Sequence, residues 1–237
     1  KHIKWEEKCL KLADSVIVTS PSLKNIYSKI NDNTHLITNG FKEIEETIES
    51  ENFEIIYSGV MKSLQNPKLL WKVLYEISKS NLSFKKDFKL NLIGSFDKSI
   101  HQNKYLIKLK EKVVFKNYIS KDVLDKKLSL GKVFVLCDVN QKGGGNLIPG
   151  KFYHYLSYKI PIIAFSSLNS DTHNIIKETK SGNVFDFSNE IDLKNHILEL
   201  YSNFKNGNYL IYINDIEKYK YSNLSSELQS VIKKTNN

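Results

Sequence analysis

The run Asn140-Gln141-Lys142-Gly143-Gly144-Gly145-Asn146-Leu147-Ile148-Pro149-Gly150-Lys151 gathers four glycines ahead of a lysine, between an apolar run and a helical pattern. Glycines let a ligand come close to the backbone. Free amide N–H groups there, with the positive end of a helix dipole behind them, suit a diphosphate or an array of sugar hydroxyls. Lys151 places a cation in the first helical turn, where the dipole disfavours it by about 0.3–1 kcal/mol, so a bound anion would relieve that cost. A solvated loop before an ordinary helix start is the plainer reading of the same residues. No other cluster competes. His2, His35, His101, His173 and His196 show no metal-ligand spacing, and there is no HExxH or paired CxxC, so neither metal nor cofactor is expected.

The surrounding pattern says what must hold that segment in place. Short β-branched runs alternate with amphipathic stretches, which predicts an α/β fold with a doubly wound parallel sheet. A helix over Ile3 to Ala13 leads to a strand at Val16–Thr19, a helix capped by Ser20-Pro21-Ser22, and a strand at His35–Thr38. Six further strands are expected at Glu54–Ser58, Lys89–Ile93, Val113–Phe115, Val133–Cys137, Ile162–Phe165 and Asn183–Phe185. Helices are expected between and after them at Pro67–Ser80, Ile100–Lys110, Ser120–Leu130, Lys151–Tyr158, Thr172–Thr179 and Glu190–Phe204, with a last one at Ser222–Lys234. In such sheets ligands bind beyond the C-terminal strand ends. The loops starting at Gly59, Gly94, Lys116 and Asp138 are therefore the candidates.

Bulk properties narrow the partners. The 237 residues are 41% hydrophobic and 26% charged, an ordinary globular composition, with a formal net charge of +9. That charge favours anionic partners, but the lysines are scattered and no nucleic-acid-binding signature appears. Cys9 and Cys137 are the only cysteines, and Cys137 sits in an apolar run, which fits a reducing cytoplasm. No run reaches the roughly 18 apolar residues of a membrane span, leaving peripheral contact with an acidic membrane as the membrane option.

Several segments resemble a known family in order along the chain. Residues from Ile148 to Ala164 resemble the "P-x-K-(L/F)-(F/Y)-E-Y-L-A-x-G-x-P-(I/V)-(I/V)-A" element of GT-B glycosyltransferases of group 1, family-four type. Cys9 to Leu23 resembles the "A-D-x-V-I-x-x-S" stretch that ends the N-terminal domain of those enzymes. Leu36-Ile37-Thr38-Asn39-Gly40-Phe41 resembles their interdomain segment, and Ile55 to Val60 the first strand and glycine turn of their C-terminal domain.

This resemblance implies a Rossmann-like GT-B C-terminal domain that binds a nucleotide-sugar donor. On that reading 1–40 is the tail of the N-terminal acceptor domain, 41–52 the linker, 53–208 the donor domain and 209–237 a tail helix packing back toward the N-terminal part. Tyr219 and Tyr221 are expected to pack there too. The donor residues implied are Gly59, Lys62, Gly94, Tyr118, Ile119, Gly143, Gly144, Gly145, Asn146, Lys151 and His154. Gly143 to Gly145 would face the donor sugar and diphosphate, Lys151 and Lys62 the phosphates, Tyr118 and Ile119 the base. The family's paired glutamates fall on Asn146 and His154, and its basic pair falls near Val60 and Gln65. Catalytic residues are expected in the absent N-terminal half, so the fragment alone is expected to be inactive.

The activity implied is hexosyl transfer with retention, from a UDP- or GDP-sugar to a glycan or lipid-linked acceptor, in bacterial surface polysaccharide assembly at the cytoplasmic membrane face. The competing reading is a non-catalytic nucleotide-sugar-binding or regulatory domain, motivated by Asn146 and His154.

Overall fold

The computed structural model of the chain describes residues 2–44, 48–139, 147–211 and 213–235. Two parallel sheets organise them. The smaller pairs β1 (Val16–Val18) with β2 (Thr34–Leu36), flanked by α1 (His2–Leu12) and α2 (Pro21–Tyr27). The larger contains β3 (Phe53–Met61), β4 (Phe88–Phe96), β5 (Val113–Lys116), β6 (Val133–Cys137), β7 (Ile162–Phe165) and β8 (Gly182–Phe185). All six runs expected as strands are strands.

Their spatial order is β5-β4-β3-β6-β7-β8, and every pairing is parallel. This is the doubly wound arrangement, with its order reversing between β3 and β6. Side chains on these strands alternate between two cores. Phe53, Ile55, Tyr57, Val133, Val135, Cys137, Ile163 and Phe165 pack under α3 (Lys68–Ser80) and α10 (Glu190–Lys205). Ile56, Phe134, Leu136, Ile162 and Ala164 pack instead with α8 (Gly150–Leu156) and α9 (Asp171–Thr179). Both faces are apolar because both are covered, which is why the strands read as continuous apolar runs.

Asparagines break the helical periodicity at two places. The helix expected over Ile100–Lys110 is two, α5 (Lys98–His101) and α6 (Lys104–Lys108). Asn103 starts the second by accepting from the amides of Tyr105 at 2.9 Å and Leu106 at 3.4 Å. Asn81 likewise caps α4 (Leu82–Asp87), which the periodicity did not indicate, by accepting from Phe84 N at 2.9 Å. The helix ahead of β6 is α7 (Lys121–Leu128).

The last helix, α11 (Tyr221–Thr235), buries Leu224 and Val231 against Ile37, and the Ser15 and Thr235 hydroxyls meet at 2.7 Å. Tyr219 departs from its expected place. Its ring lies 5.3 Å from that of Tyr153 on α8, so it packs on the larger unit, while Tyr221 is exposed. A link between the two units comes from Asp171 at the start of α9. Its carboxylate accepts from Ser22 N at 3.0 Å and Ser22 Oγ at 2.9 Å on α2. No described helix is long and apolar enough to cross a membrane.

Candidate functional site

The site grows from the place where β3 and β6 part. Their register runs only through Ile55↔Val133 and Ile56↔Phe134, while β3 continues to Met61. Strands that diverge leave backbone groups needing partners, and side chains supply them. The Ser58 amide donates to the Tyr155 hydroxyl at 2.9 Å. Lys151 Nζ donates to the Ser58 carbonyl at 3.2 Å, and Gln65 Nε2 to the Cys137 carbonyl at 3.2 Å. Two of these three side chains stand on α8, four residues apart on one face.

A cavity of about 390 Å³ opens over this split. It is lined by Ser58, Gly59 and Val60 of β3, Ile93 and Gly94 of β4, Tyr118, Ile119 and Leu124, and Pro149, Gly150, Lys151 and His154 around the start of α8, with Gln65. Gly59 and Gly94 are register partners, with φ of +115° and +130°. A Cβ on Gly94 would stand 2.2 Å from the Gly59 carbonyl oxygen, so this close pairing of two neighbouring strands excludes any side chain.

Lys151 is the cation of the site. Its residue as a whole is only partly buried, yet its ammonium sits deep, 3.8 Å from the Tyr57 ring centre. Burial lowers its pKa to about 8, against the pull of Cys137 and Asp138. No ion pair among the described residues engages it. Burial pushes the Cys137 thiol up to about 12, keeping it neutral. The Asp138 carboxyl is also raised, chiefly by burial, and accepts from Ser166 Oγ at 2.5 Å. An ammonium desolvated without a direct ion pair among the described residues is a poor arrangement for stability and a good one for an incoming anion.

One turn further along α8, His154 Nε2 lies 3.0 Å from Asp125 Oδ1 on α7. The same carboxylate accepts from Lys121 Nζ at 2.5 Å and from the Tyr158 hydroxyl at 3.2 Å. Burial lowers the His154 pKa, with Asp125 pulling the other way. Asp125 is itself lowered: burial opposes ionisation, but Lys121, His154 and Tyr158 together outweigh it.

Comparison with known proteins fits this geometry. The sequence model described as glycosyl transferases group 1 matches residues 40–214, which include the whole six-stranded sheet. The chain belongs to this family. Similar solved structures include a TarM variant from S. aureus in complex with fondaparinux, α-GlcNAc-glycerol and UDP, at TM-score 0.68 and 18% identity over 96% of this chain and 45% of that one. The pneumococcal O-GlcNAc transferase GtfA, in complex with UDP and GlcNAc, gives TM-score 0.69 and 10% identity, with 98% and 47% covered. Sucrose-phosphate synthase from Thermosynechococcus elongatus gives TM-score 0.66 and 16% identity, with 97% and 60% covered. At such identities these matches establish a shared fold, and the chain spans about half to three fifths of their lengths. No curated protein matches by sequence.

Within this member of the family, the structure brings Gly59, Gly94, Tyr118, Ile119, Lys151 and His154 to one cavity. Lys62 is exposed and absent from its lining; its backbone amide instead donates to Gln65 Oε1 at 3.1 Å. Gly143, Gly144, Gly145 and Asn146 lie outside the described residues. The helix-dipole argument weakens as well, since α8 has seven residues and what it presents to the cavity is side-chain charge. Residue spacing missed three contributors. Gln65 and Tyr155 act through the Cys137 and Ser58 backbone, and Asp125 meets His154 only by packing of α7 on α8. Glu178 lies at a separate cavity of about 270 Å³, ion-paired with Lys218. Among the described residues no group of three or more His, Cys, Asp or Glu is placed to hold a metal.

Proposed function

We propose that this chain is the C-terminal, donor-binding half of a family-four GT-B glycosyltransferase. Residues 1–40 are then the end of the acceptor domain, 41–52 the linker, 53–208 the donor domain and 209–237 the returning tail. The donor is a UDP- or GDP-sugar. Its diphosphate meets Lys151 at the β3/β6 split, and its base lies along Ile93, Tyr118, Ile119 and Leu124. The observation that carries this reading is the ammonium of Lys151, desolvated against Ser58 and Tyr57, in no ion pair among the described residues, at the lining of an open cavity.

Transfer breaks the bond between the anomeric carbon and the diphosphate oxygen and forms one to an acceptor hydroxyl, whose proton is lost. Charge builds on the departing diphosphate, and a fixed cation there stabilises that charge more than the ground state. Lys151 fills that role, while the side-chain-free Gly59–Gly94 pair lets phosphate approach the backbone. The acceptor, a glycan or lipid-linked sugar, and the group that handles its proton belong to the N-terminal half. Retention of configuration, work in polysaccharide assembly on the cytoplasmic side, and contact of the basic surface with an acidic membrane are parts of the same reading.

Calorimetry with UDP, GDP and their sugars tests it. Micromolar binding that Lys151→Met weakens at least tenfold is expected, and absence of binding by the wild-type chain rejects it. The Asp125–His154 pair, standing where the resemblance expects a glutamate, favours a second reading, a non-catalytic donor-binding domain. A longer protein that binds donor but transfers to no member of a broad acceptor panel would select that one.

A further inference from the structure

Lysines that look scattered along the sequence are gathered by the fold. Residues 104–127 carry eight lysines against Glu111, Asp122 and Asp125, so this short stretch holds +5 of the chain's total of +9. It folds as α6, β5 and α7 in succession, and β5 is an edge strand of the larger sheet. Leu106 of α6 packs into the core under α3, whereas Leu128 of α7 packs with α8, so the two helices lie on opposite faces of the sheet. With β5 between them they form the end wall of the unit. Of the eight lysines only Lys121 enters an ion pair among the described residues. Lys112 Nζ donates to the Lys86 carbonyl at 3.0 Å, which continues the basic surface onto the exposed Lys85 and Lys86 of α4.

Lysines on an edge strand commonly keep it from pairing with another chain. That role does not account for the apolar side chains standing among them. Ile107 on α6 is 55% exposed, Val114 on β5 40% and Val123 on α7 46%. Ammonium heads interleaved with branched aliphatics match an acidic lipid surface, which offers phosphates above and acyl chains below. A second copy set edge to edge would bring +5 against +5, which like charges oppose. Single-stranded nucleic acid needs aromatic rings free to stack, and the Phe115 ring is already engaged by His101 at 4.5 Å and Phe96 at 5.6 Å.

We infer that the α6–β5–α7 end wall is the surface by which this chain docks on an anionic bilayer, its lysines meeting lipid phosphates while Ile107, Val114 and Val123 enter the headgroup layer. This rests on the membrane contact in the reading above and names the face that makes it. Tyr118, Ile119 and Leu124 of the same segment line the cavity at the β3/β6 split, so docking sets that cavity beside the lipid surface. A lipid-linked acceptor then arrives from the membrane already close to the donor.

Sedimentation of the whole chain with phosphatidylglycerol–phosphatidylcholine vesicles, and with phosphatidylcholine alone, tests this. Wild type should bind only the acidic vesicles and be released by salt. Lys104→Glu, Lys110→Glu and Lys126→Glu together take the wall from +5 to −1 and should weaken binding at least about tenfold. The same change at the exposed Lys29, Lys177 and Lys233 should weaken it less than about threefold. Ile107→Ser with Val123→Ser should weaken it about three- to tenfold through lost apolar contact. Thermal melting near that of wild type shows the variants folded. Equal weakening by the two charge-reversed sets, or a serine pair without effect, overturns the inference. So does tighter binding of single-stranded RNA than of acidic vesicles. Helix α1 exposes Ile3, Trp5 and Leu12 beside Lys4, Lys8 and Lys11, and loss of binding in Trp5→Ser with the wall variants unaffected would move the contact there and overturn the inference too. A wild type that binds no acidic vesicle rejects the membrane contact together with its face, while UDP calorimetry decides the donor site separately.

Discussion

Tyr155 places its hydroxyl 2.9 Å from the Ser58 amide, where a fully paired neighbouring strand would have offered a carbonyl. Both residues are buried. Tyr155→Phe keeps the ring stacked on Phe134 but leaves that amide unpaired, which costs about 1–3 kcal/mol. Urea denaturation should show this loss. Tyr27→Phe, whose exposed hydroxyl only donates to Glu6, should change stability by less than about 0.5 kcal/mol.

Lys151 ties stability and binding to pH in opposite senses. Its folded pKa of about 8 lies below its ordinary 10.5, so the folded state binds fewer protons than the unfolded one between those values. The penalty is full below about pH 8 and fades as pH rises toward 10.5. Lys151→Met removes it, so the variant should melt higher than wild type at pH 7, with the gap closing by pH 10. Binding should move the other way. A diphosphate favours the charged amine, so wild-type affinity should fall as pH climbs above 8. Binding at pH 8.5 should take up protons, read as a dependence of calorimetric heat on buffer ionisation. Loss of the cation should weaken binding about ten- to a hundredfold at pH 7.

The fold was more legible than the site, for a physical reason. Runs such as Val133–Cys137 and Ile162–Phe165 are apolar throughout because both faces of each strand are covered, and that imprint is local in sequence. Gly59, Gly94 and Lys151 were visible because a strand-end glycine and a lysine opening a helix are local too. Asp125 was not. Four residues after Lys121 on a charged helix, it reads as one more surface ion pair, and only the packing of α7 on α8 brings it to His154. Tyr155 is hidden likewise among Phe152, Tyr153 and Tyr158, where nothing in the sequence separates a core aromatic from one that completes a backbone hydrogen bond.

Gly94 tests the close pairing of β3 and β4 at Gly59. An alanine there faces both a φ of +130° and a carbonyl 2.2 Å from its methyl group. Backbone strain of about 1–3 kcal/mol and overpacking of similar size add, because neither strand end can yield without opening the sheet. Gly94→Ala should therefore lose at least about 3 kcal/mol in urea denaturation. Gly207→Ala, at a φ of +75° with open space around it, should lose only about 1–2 kcal/mol.

Asp171 gives a prediction about coupling between the two units. Its two oxygens take separate hydrogen bonds from Ser22, one from an amide in the first turn of α2, where helix donors lack internal partners. A carboxylate there also sits favourably against the helix dipole. Asp171→Ala removes both bonds, each to a charged acceptor and worth about 1.5–3 kcal/mol in such settings. The effect should be uneven, since no described residue of α2, β1 or β2 belongs to either core of the larger sheet, whereas β6 and residues 53–58 of β3 are buried. Hydrogen exchange should speed up at least tenfold at amides of α2 and β1 while β3 and β6 keep their protection. Asp171→Asn, which keeps one acceptor, should fall between. Equal acceleration in both sheets would mean that Asp171 supports α9 generally and does not latch the units together.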